Sequence, residues 1–401
     1  MATARVHFRA GFATVDITPD PAEGRVELSG YVAREQPATG VRDRLRAGVL
    51  ALGGEGCDPW LLVGLDLCIL DAAAAGRLAA ACPLPEERVV LCCSHTHAAP
   101  ATYPLIGCGA PDPAYVRRAA LAVGDAARRA LADAVPCRVG WGRRALPSGA
   151  LWGNRRDPAG PVDPRVHLMK IERSDSTRRP VCAVWSVACH PVVLGADNRA
   201  VSADWVGEVA RALPFPSLFL QGFCGDQDPL RRGEAELGPW AALAAELGAL
   251  WNVTPTAAAG PLGWARREVR LPRLPGDAVP PRPADPRAAA AMLRWADTVA
   301  APGEPVPPEA AAVVACRIGA GRAAFWPGEP HAAFALALPS DCCGVGHAGP
   351  SVGYIPERQA YAGGGYEVAA AHRYYGFPSA LAPEAGEALR AATDALLREL
   401  G

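Results

Sequence analysis

The sequence predicts a mixed α/β domain, and three observations carry that expectation. Short apolar runs of strand character recur along the chain, stretches with apolar residues spaced three and four apart lie between them, and no repeat or composition break divides the 401 residues. The strand-like runs are 48–52, 60–65, 88–93, 137–141, 166–171, 181–187 and 217–221. Helical spacing is clearest over 114–134, 238–251 and 383–400, the last expected as a surface helix that closes the fold. One catalytic-type domain from residue 9 to 401 is expected. Inside it, residues 271–310 place two proline-rich pieces around a short helical pattern, which reads as a surface insertion.

Composition removes several function classes. Half of the residues are hydrophobic, so a chain of this length can bury a large core. Lys and Arg number 40 against 41 Asp and Glu, a formal net charge of -1, and such a balance gives no basic surplus for a nucleic acid. Asp66 and Asp71 interrupt the longest apolar stretches well short of a bilayer-spanning length, so no stable membrane insertion is expected. Arg5 and Arg9 flank too few apolar residues for a signal-peptide core, which makes the cytoplasm the expected location. Thirteen cysteines form no C-x-x-C pair, and several sit inside apolar runs, as small buried hydrophobes of a reducing compartment do. Nothing in the sequence speaks to the oligomeric state.

The residues that carry chemistry sit where strand patterns end. The run VVLCCSHTHAAPAT sets His95 and His97 directly after one such pattern. In an extended chain, residues two apart face the same side, so both imidazoles can enter one cavity, either as metal ligands or as a hydrogen-bonded core pair. A second pattern, VCAVWSVACHPVVLG, carries His190 at its end, and a third, 323–326, is followed by Pro327, Gly328 and Glu329. Each is weak alone, since a histidine before proline can be a cap and Gly-Glu-Pro a turn. Two histidines and a carboxylate at three strand ends are together what a catalytic zinc site needs, because they leave a coordination position open.

Taken in order, further motifs bring out a family resemblance. They are AGFATVDITP near the start, Gly30-Tyr31, RLRA at 44–47, SHTHAAP at 94–100, GNR at 153–155, ACHPV at 188–192, GFCGDQDP at 222–229, PGEP at 327–330 and GYIPERQAYAGGGYE at 353–367. This series resembles the neutral/alkaline non-lysosomal ceramidases, zinc amidases that cleave the N-acyl bond of ceramide, and it spans almost the whole chain. The resemblance implies the mixed-sheet catalytic domain of that family, here without its C-terminal immunoglobulin-like domain. It implies Zn2+ as cofactor with His95, His190, Glu329 and Tyr354 as ligands. It also implies His97 as the catalytic histidine, with Arg155 and Tyr366 holding the reacting polar end or the oxyanion. Arg156 is the neighbour that competes for the place of Arg155.

Chemically, zinc-bound hydroxide would attack an amide carbonyl, donors such as Arg155 or Tyr366 would steady the oxyanion, and His97 would protonate the leaving nitrogen. Asp66 and Asp226 are candidate acceptors for orienting a ligand histidine, or loop caps, and His331 and His347 are candidates to line the pocket. The family's Gly-Asp-Val-Ser-Pro-Asn element appears as Gly225, Asp226, Gln227, Asp228, Pro229 and Leu230, so its serine and asparagine are missing. With that change, the expected partner is a soluble small-molecule amide or acyl compound, with ceramide a poor substrate. Two other readings stay open: a metal enzyme of different acyl chemistry (ester or lactone hydrolysis, amide formation, biosynthetic cyclisation), or a binding homologue without turnover.

Overall fold

Twelve strands share one hydrogen-bonded sheet among the described residues. They are β1 (Ala4–Asp16), β2 (Arg46–Gly54), β3 (Cys57–Leu65), β4 (Val89–Cys93), β5 (Val135–Ala145), β6 (Arg165–Arg173), β7 (Pro180–Val187), β8 (Ser217–Gln221), β9 (Ala259–Leu271), β10 (Glu309–Ile318), β11 (Gly321–Phe325) and β12 (Cys342–Val345). The computed structural model describes residues 4–34, 36–147, 149, 151–278, 283–299 and 303–401. One path runs β8-β7-β6-β5-β1-β9-β10-β11-β12, and a branch β2-β3-β4 leaves from β1. β1 is the branch point because its length serves three neighbours: residues 8–16 pair with β2, residues 4–7 with β9, and Arg9 and Ala10 with β5. The strand therefore reaches back to Ala4, ahead of the boundary expected at residue 9.

Side-chain alternation decides what each face buries. In β2, Leu50 and Leu52 point into an inner core with Leu62, Val90, Val184, Leu220, Val314 and Phe325, so the branch and both arms of the sheet close on one apolar interior. Val49 and Ala51 point the other way, under α1 (Ala72–Ala81) and α2 (Pro113–Ala132). The start of α2 is written locally: Asp112 accepts the N–H groups of Ala114 and Tyr115, and Pro113 takes the first turn, where no donor is needed. The outer face of β6 and β7 is covered by α3 (Asp204–Ala212) and α4 (Ala242–Val253). A 3₁₀ turn, Gly238–Ala241, precedes α4 where the sequence suggests one continuous helix.

Within the proline-rich stretch, α5 (Pro286–Ala296) buries Met292 and Trp295, and the Trp295 indole donates to the Phe377 carbonyl at 2.7 Å. Residues 279–282 and 300–302 of that stretch lie outside the described residues. The last helix, α6 (Pro383–Glu399), packs Leu389 and Leu396 against β9 and β10. No helix among the described residues is long and apolar enough to cross a membrane. All 13 cysteines are free thiols, and every one except Cys57 is buried.

Candidate metal centre and its two walls

Three parallel strand pairs, β3 with β4, β7 with β8 and β11 with β12, end side by side. Gln221 at the end of β8 knits them together. Its side-chain amide donates to the carbonyls of Ser94 (3.0 Å) and Cys189 (2.9 Å), and its own carbonyl accepts Gly346 N–H. Loops leaving the carboxyl ends of parallel strands are where α/β folds present functional groups. Here they bring His95, His97, His190, Glu329 and Tyr354 together, and Arg155 joins them from the connection between β5 and β6, just after the short strand Trp152–Asn154.

His95 does not reach the cavity by strand alternation. Its φ of 71° is left-handed, an uncommon backbone for a non-glycine residue, and Leu67 O accepts its N–H at 2.9 Å. This turn, rather than an extended chain, sets the His95 and His97 rings edge to face with centroids 4.7 Å apart. His95 Nε2 lies 3.3 Å and His190 Nε2 3.1 Å from one oxygen, Oε2 of Glu329. Both Nδ1 atoms are occupied by backbone: His95 by Cys68 O at 3.0 Å and His190 by Gln227 O at 3.0 Å. Each Nδ1 donates to a backbone carbonyl, so each ring presents its Nε2 to Glu329, as a donor to the carboxylate or, once that proton is displaced, as a ligand to a cation. The donor atoms of His95, His190 and Glu329 lie within 4.8 Å of one another, and all three residues are buried. Two borderline imidazoles and a carboxylate in that arrangement fit a zinc-type cation.

Charge couples the same residues to one another. Burial would depress His95, but Glu329 and Cys68 outweigh it and hold the imidazole up to about 10. Burial would raise Glu329, but His95 and His190 keep it well below the usual carboxylate range. Tyr354 belongs to the same group: Glu329 and Tyr354 are register partners in a two-residue parallel bridge, and burial together with the neighbouring Glu329 pushes the phenol well above its ordinary value. The loop needs Gly328, whose φ is +73° and where a Cβ would fall 2.2 Å from Gly353 O.

His97 is the histidine that is not in this triad. Its Nε2 sits 3.3 Å from His95 Nε2, and its Nδ1 is buried without a partner. Burial and the two neighbouring histidines push it well below its ordinary value, so it is held neutral. Gly30 is what lets it stand there, since a Cβ at that position would lie 2.3 Å from His97 Nδ1.

The wall beside His190 is built from matched charges. Arg155 Nε donates to Glu367 Oε1 at 2.8 Å and Nη1 to Asp228 Oδ1 at 3.3 Å, while Nη2 is buried and unpartnered. Its guanidinium lies 5.4 Å from the ring centroid of Tyr354 and 5.9 Å from that of Tyr366. Arg156 pairs with Glu367 but sends Nη2 to the carbonyls of Ala360 and Gly364, so of the two arginines Arg155 is the one beside the tyrosines. Tyr366 remains 46% exposed at the mouth.

Asp226 and Asp66 do not orient the histidines. Asp226 accepts from Asn154 Nδ2 and Ala332 N, each at 2.8 Å, which clamps two loops, and Asp66 accepts Arg46 N–H at 2.8 Å. The aspartate that does approach one of these histidines is Asp228, 3.5 Å from His190 Nδ1. His331 turns away to pair with Glu357, whereas His347 stacks on His95 with centroids 3.9 Å apart. Four participants carried no signal in the sequence reading. Tyr375 donates a short hydrogen bond to Glu329 Oε1, Cys68 groups with His95 and His97, Arg34 grips the His97 carbonyl at 2.8 Å, and Gln221 ties the strand ends.

Among solved structures, the chain is similar to a neutral ceramidase from Pseudomonas aeruginosa, with a TM-score of 0.75 and 18% identity over 98% of this chain and 75% of that one. It is also similar to a ceramidase complexed with C2, with a TM-score of 0.74 and 16% identity over 98% and 76% of the two chains. The fold is therefore that of a neutral ceramidase-like catalytic domain across nearly the whole chain. No family profile matches the sequence, and no curated protein matches it.

Proposed function

We propose that this protein is a zinc-dependent hydrolase that cleaves the amide bond of a soluble N-acyl compound, with ceramide a poor substrate. The observation that carries this reading is the convergence of His95 Nε2 and His190 Nε2 on Glu329 Oε2, with Tyr354 alongside and His97 left unligated. His95, His190, Glu329 and Tyr354 would hold the metal. When bound, zinc supplies an acidified water and polarises the acyl oxygen.

The chain's own groups do the rest. His97, neutral and adjacent, takes a proton at Nε2 and delivers it to the leaving nitrogen, which is too basic to depart as an anion. Arg155 offers its one unpartnered donor, Nη2, to the acyl oxygen, with Tyr366 beside it; such a donor is worth roughly 3–4 kcal/mol in other enzymes. Glu367 and Asp228 hold Arg155 in place from two sides, so no reorientation is needed as charge develops. Asp228, which stands where the family element has its serine, pairs with Arg232 as well as Arg155, and this added charge supports a polar substrate. The test is a zinc-loaded preparation given a short N-acyl amine and a long-chain ceramide, with His190→Ala as control. Faster cleavage of the short amide, and joint loss of zinc and activity in the variant, is expected. Full zinc occupancy in His190→Ala overturns the ligand set, and a higher kcat/KM on ceramide overturns the substrate.

A further inference from the structure

The partly buried arginines around the centre are balanced, with one exception. Arg155 faces Glu367 and Asp228, Arg156 faces Glu367, Arg232 faces Asp228 and Arg273 faces Glu309. Arg34 has no carboxylate at ion-pair distance among the described residues. It is held by three backbone carbonyls instead: Ser29 O at 2.9 Å, His97 O at 2.8 Å and Gly195 O at 3.2 Å. Its Nε is shut off from solvent without a partner. Burial draws the guanidinium below its ordinary value, and the groups opposing this are Tyr31, Cys68 and Cys108, none of them a carboxylate. A guanidinium stays charged under these conditions, and holding one half-buried without a counter-ion is unfavourable. Carbonyl dipoles fix its position, yet they leave the charge uncompensated.

Other features of the same loop point the same way. The Tyr31 ring lies 5.0 Å from the Arg34 guanidinium and 5.0 Å from the His97 ring, and its hydroxyl is buried with no partner. Arg34 also forms part of the wall of a groove of about 760 Å³ whose other walls include Val32, Leu105, Ile106 and Ala290. Arg287, Arg294 and Glu27 also line it, so a ligand there meets apolar surface set among guanidinium groups, and of these Arg34 is the one that holds the His97 carbonyl. This charge lies beside His97, whose carbonyl it holds, and takes no part in the Arg155 ion pairs. In the amidase reading, His97 faces the leaving nitrogen, so whatever Arg34 attracts is attached to the amine half.

We infer that the Gly30–Arg34 loop and the groove beside it recognise a carboxylate carried on the amine half of the substrate, so that the amides cleaved are N-acyl amino acids. The inference rests on the amidase reading above and deepens it. A carboxylate supplies the counter-charge that Arg34 lacks among the described residues, and the Tyr31 hydroxyl supplies a neutral donor beside it.

The test compares an N-acyl amino acid with the same compound as its carboxamide, which has the same acyl chain and scissile bond but no charge. With the zinc-loaded enzyme, the carboxylate form is expected to have a kcat/KM about 10- to 100-fold higher. Arg34→Gln should erase most of that preference, and Arg34→Lys should keep part of it. Equal efficiency on the two compounds in the unmodified enzyme, which needs no variant, overturns the inference and leaves the amidase reading standing. An equal loss on both compounds in Arg34→Gln reduces Arg34 to a loop pin and also overturns it. If neither compound is cleaved, the amidase reading falls. Calorimetry with an N-sulfonyl amino acid and its carboxamide, which need no turnover, then decides the point: tighter binding of the acid supports the carboxylate site, and equal binding removes it.

Discussion

The two walls of the metal centre follow opposite rules. On the His190 side, Arg155, Arg156, Asp228, Glu367 and Arg232 form a closed network in which each guanidinium meets a carboxylate. On the His97 side, Arg34 and Tyr31 keep an unmatched charge and an unpartnered hydroxyl. A matched wall is rigid before any ligand arrives and can aim a donor. An unmatched wall is incomplete without one, and this is the difference expected between machinery that acts on the scissile bond and a surface that selects what is brought to it.

The comparison is broken most severely at His97, which belongs to the selecting side by position and to the chemistry by role. His97→Ala should retain zinc while turnover falls by roughly 10²- to 10⁴-fold, the usual worth of general acid-base catalysis. Elemental analysis beside kinetics checks this, and equal metal loss in His97→Ala and His95→Ala would make His97 a ligand. The matched wall is tested next by Glu367→Gln, which strips a shared carboxylate from two arginines. A loss of about 2–3 kcal/mol is expected in urea unfolding, less than a fully sealed pair because Arg155 and Arg156 stay 22% and 17% exposed. An unchanged midpoint would mean that the network does not hold the wall.

The smallest effect is expected at Tyr375, behind the centre. Its hydroxyl occupies Glu329 Oε1 and leaves Oε2 to face the histidines, so Tyr375→Phe should raise the zinc dissociation constant about 10- to 100-fold with the fold intact. An unaltered constant with unaltered near-UV circular dichroism would remove Tyr375 from the positioning of that carboxylate.

What the sequence revealed follows from how locally each signal is encoded. The strands 217–221 and 181–187 are compact aliphatic runs and were legible to within a residue. β1, β9 and β10 were not, because β1 interleaves Arg, Gly and Thr with Val6 and Phe8, and β9 interleaves charges with its buried positions. Their strand character is fixed by pairing partners more than 250 residues away in the case of Val6 and Gly260. At the centre, His95, His190 and Glu329 announced themselves at strand ends, whereas Tyr354, Arg155 and Tyr366 were reached only through the family resemblance. Asp228 was misjudged in favour of Asp66 and Asp226, since only the three-dimensional loop shows which aspartate of Gly225-Asp226-Gln227-Asp228 turns toward His190. Tyr375, Cys68 and Arg34 act through contacts that no spacing encodes.

The branching of β1 has a temporal consequence. β1 completes its ladder only when residues 259–262 arrive, and His95 has no Glu329 partner until residue 329 exists. Loop closures of that length slow folding, and until they are made β1 carries unpaired edge groups. Synthesis order thus leaves the His95, His190, Glu329 and Tyr354 group incomplete until Tyr354 has emerged beside Glu329.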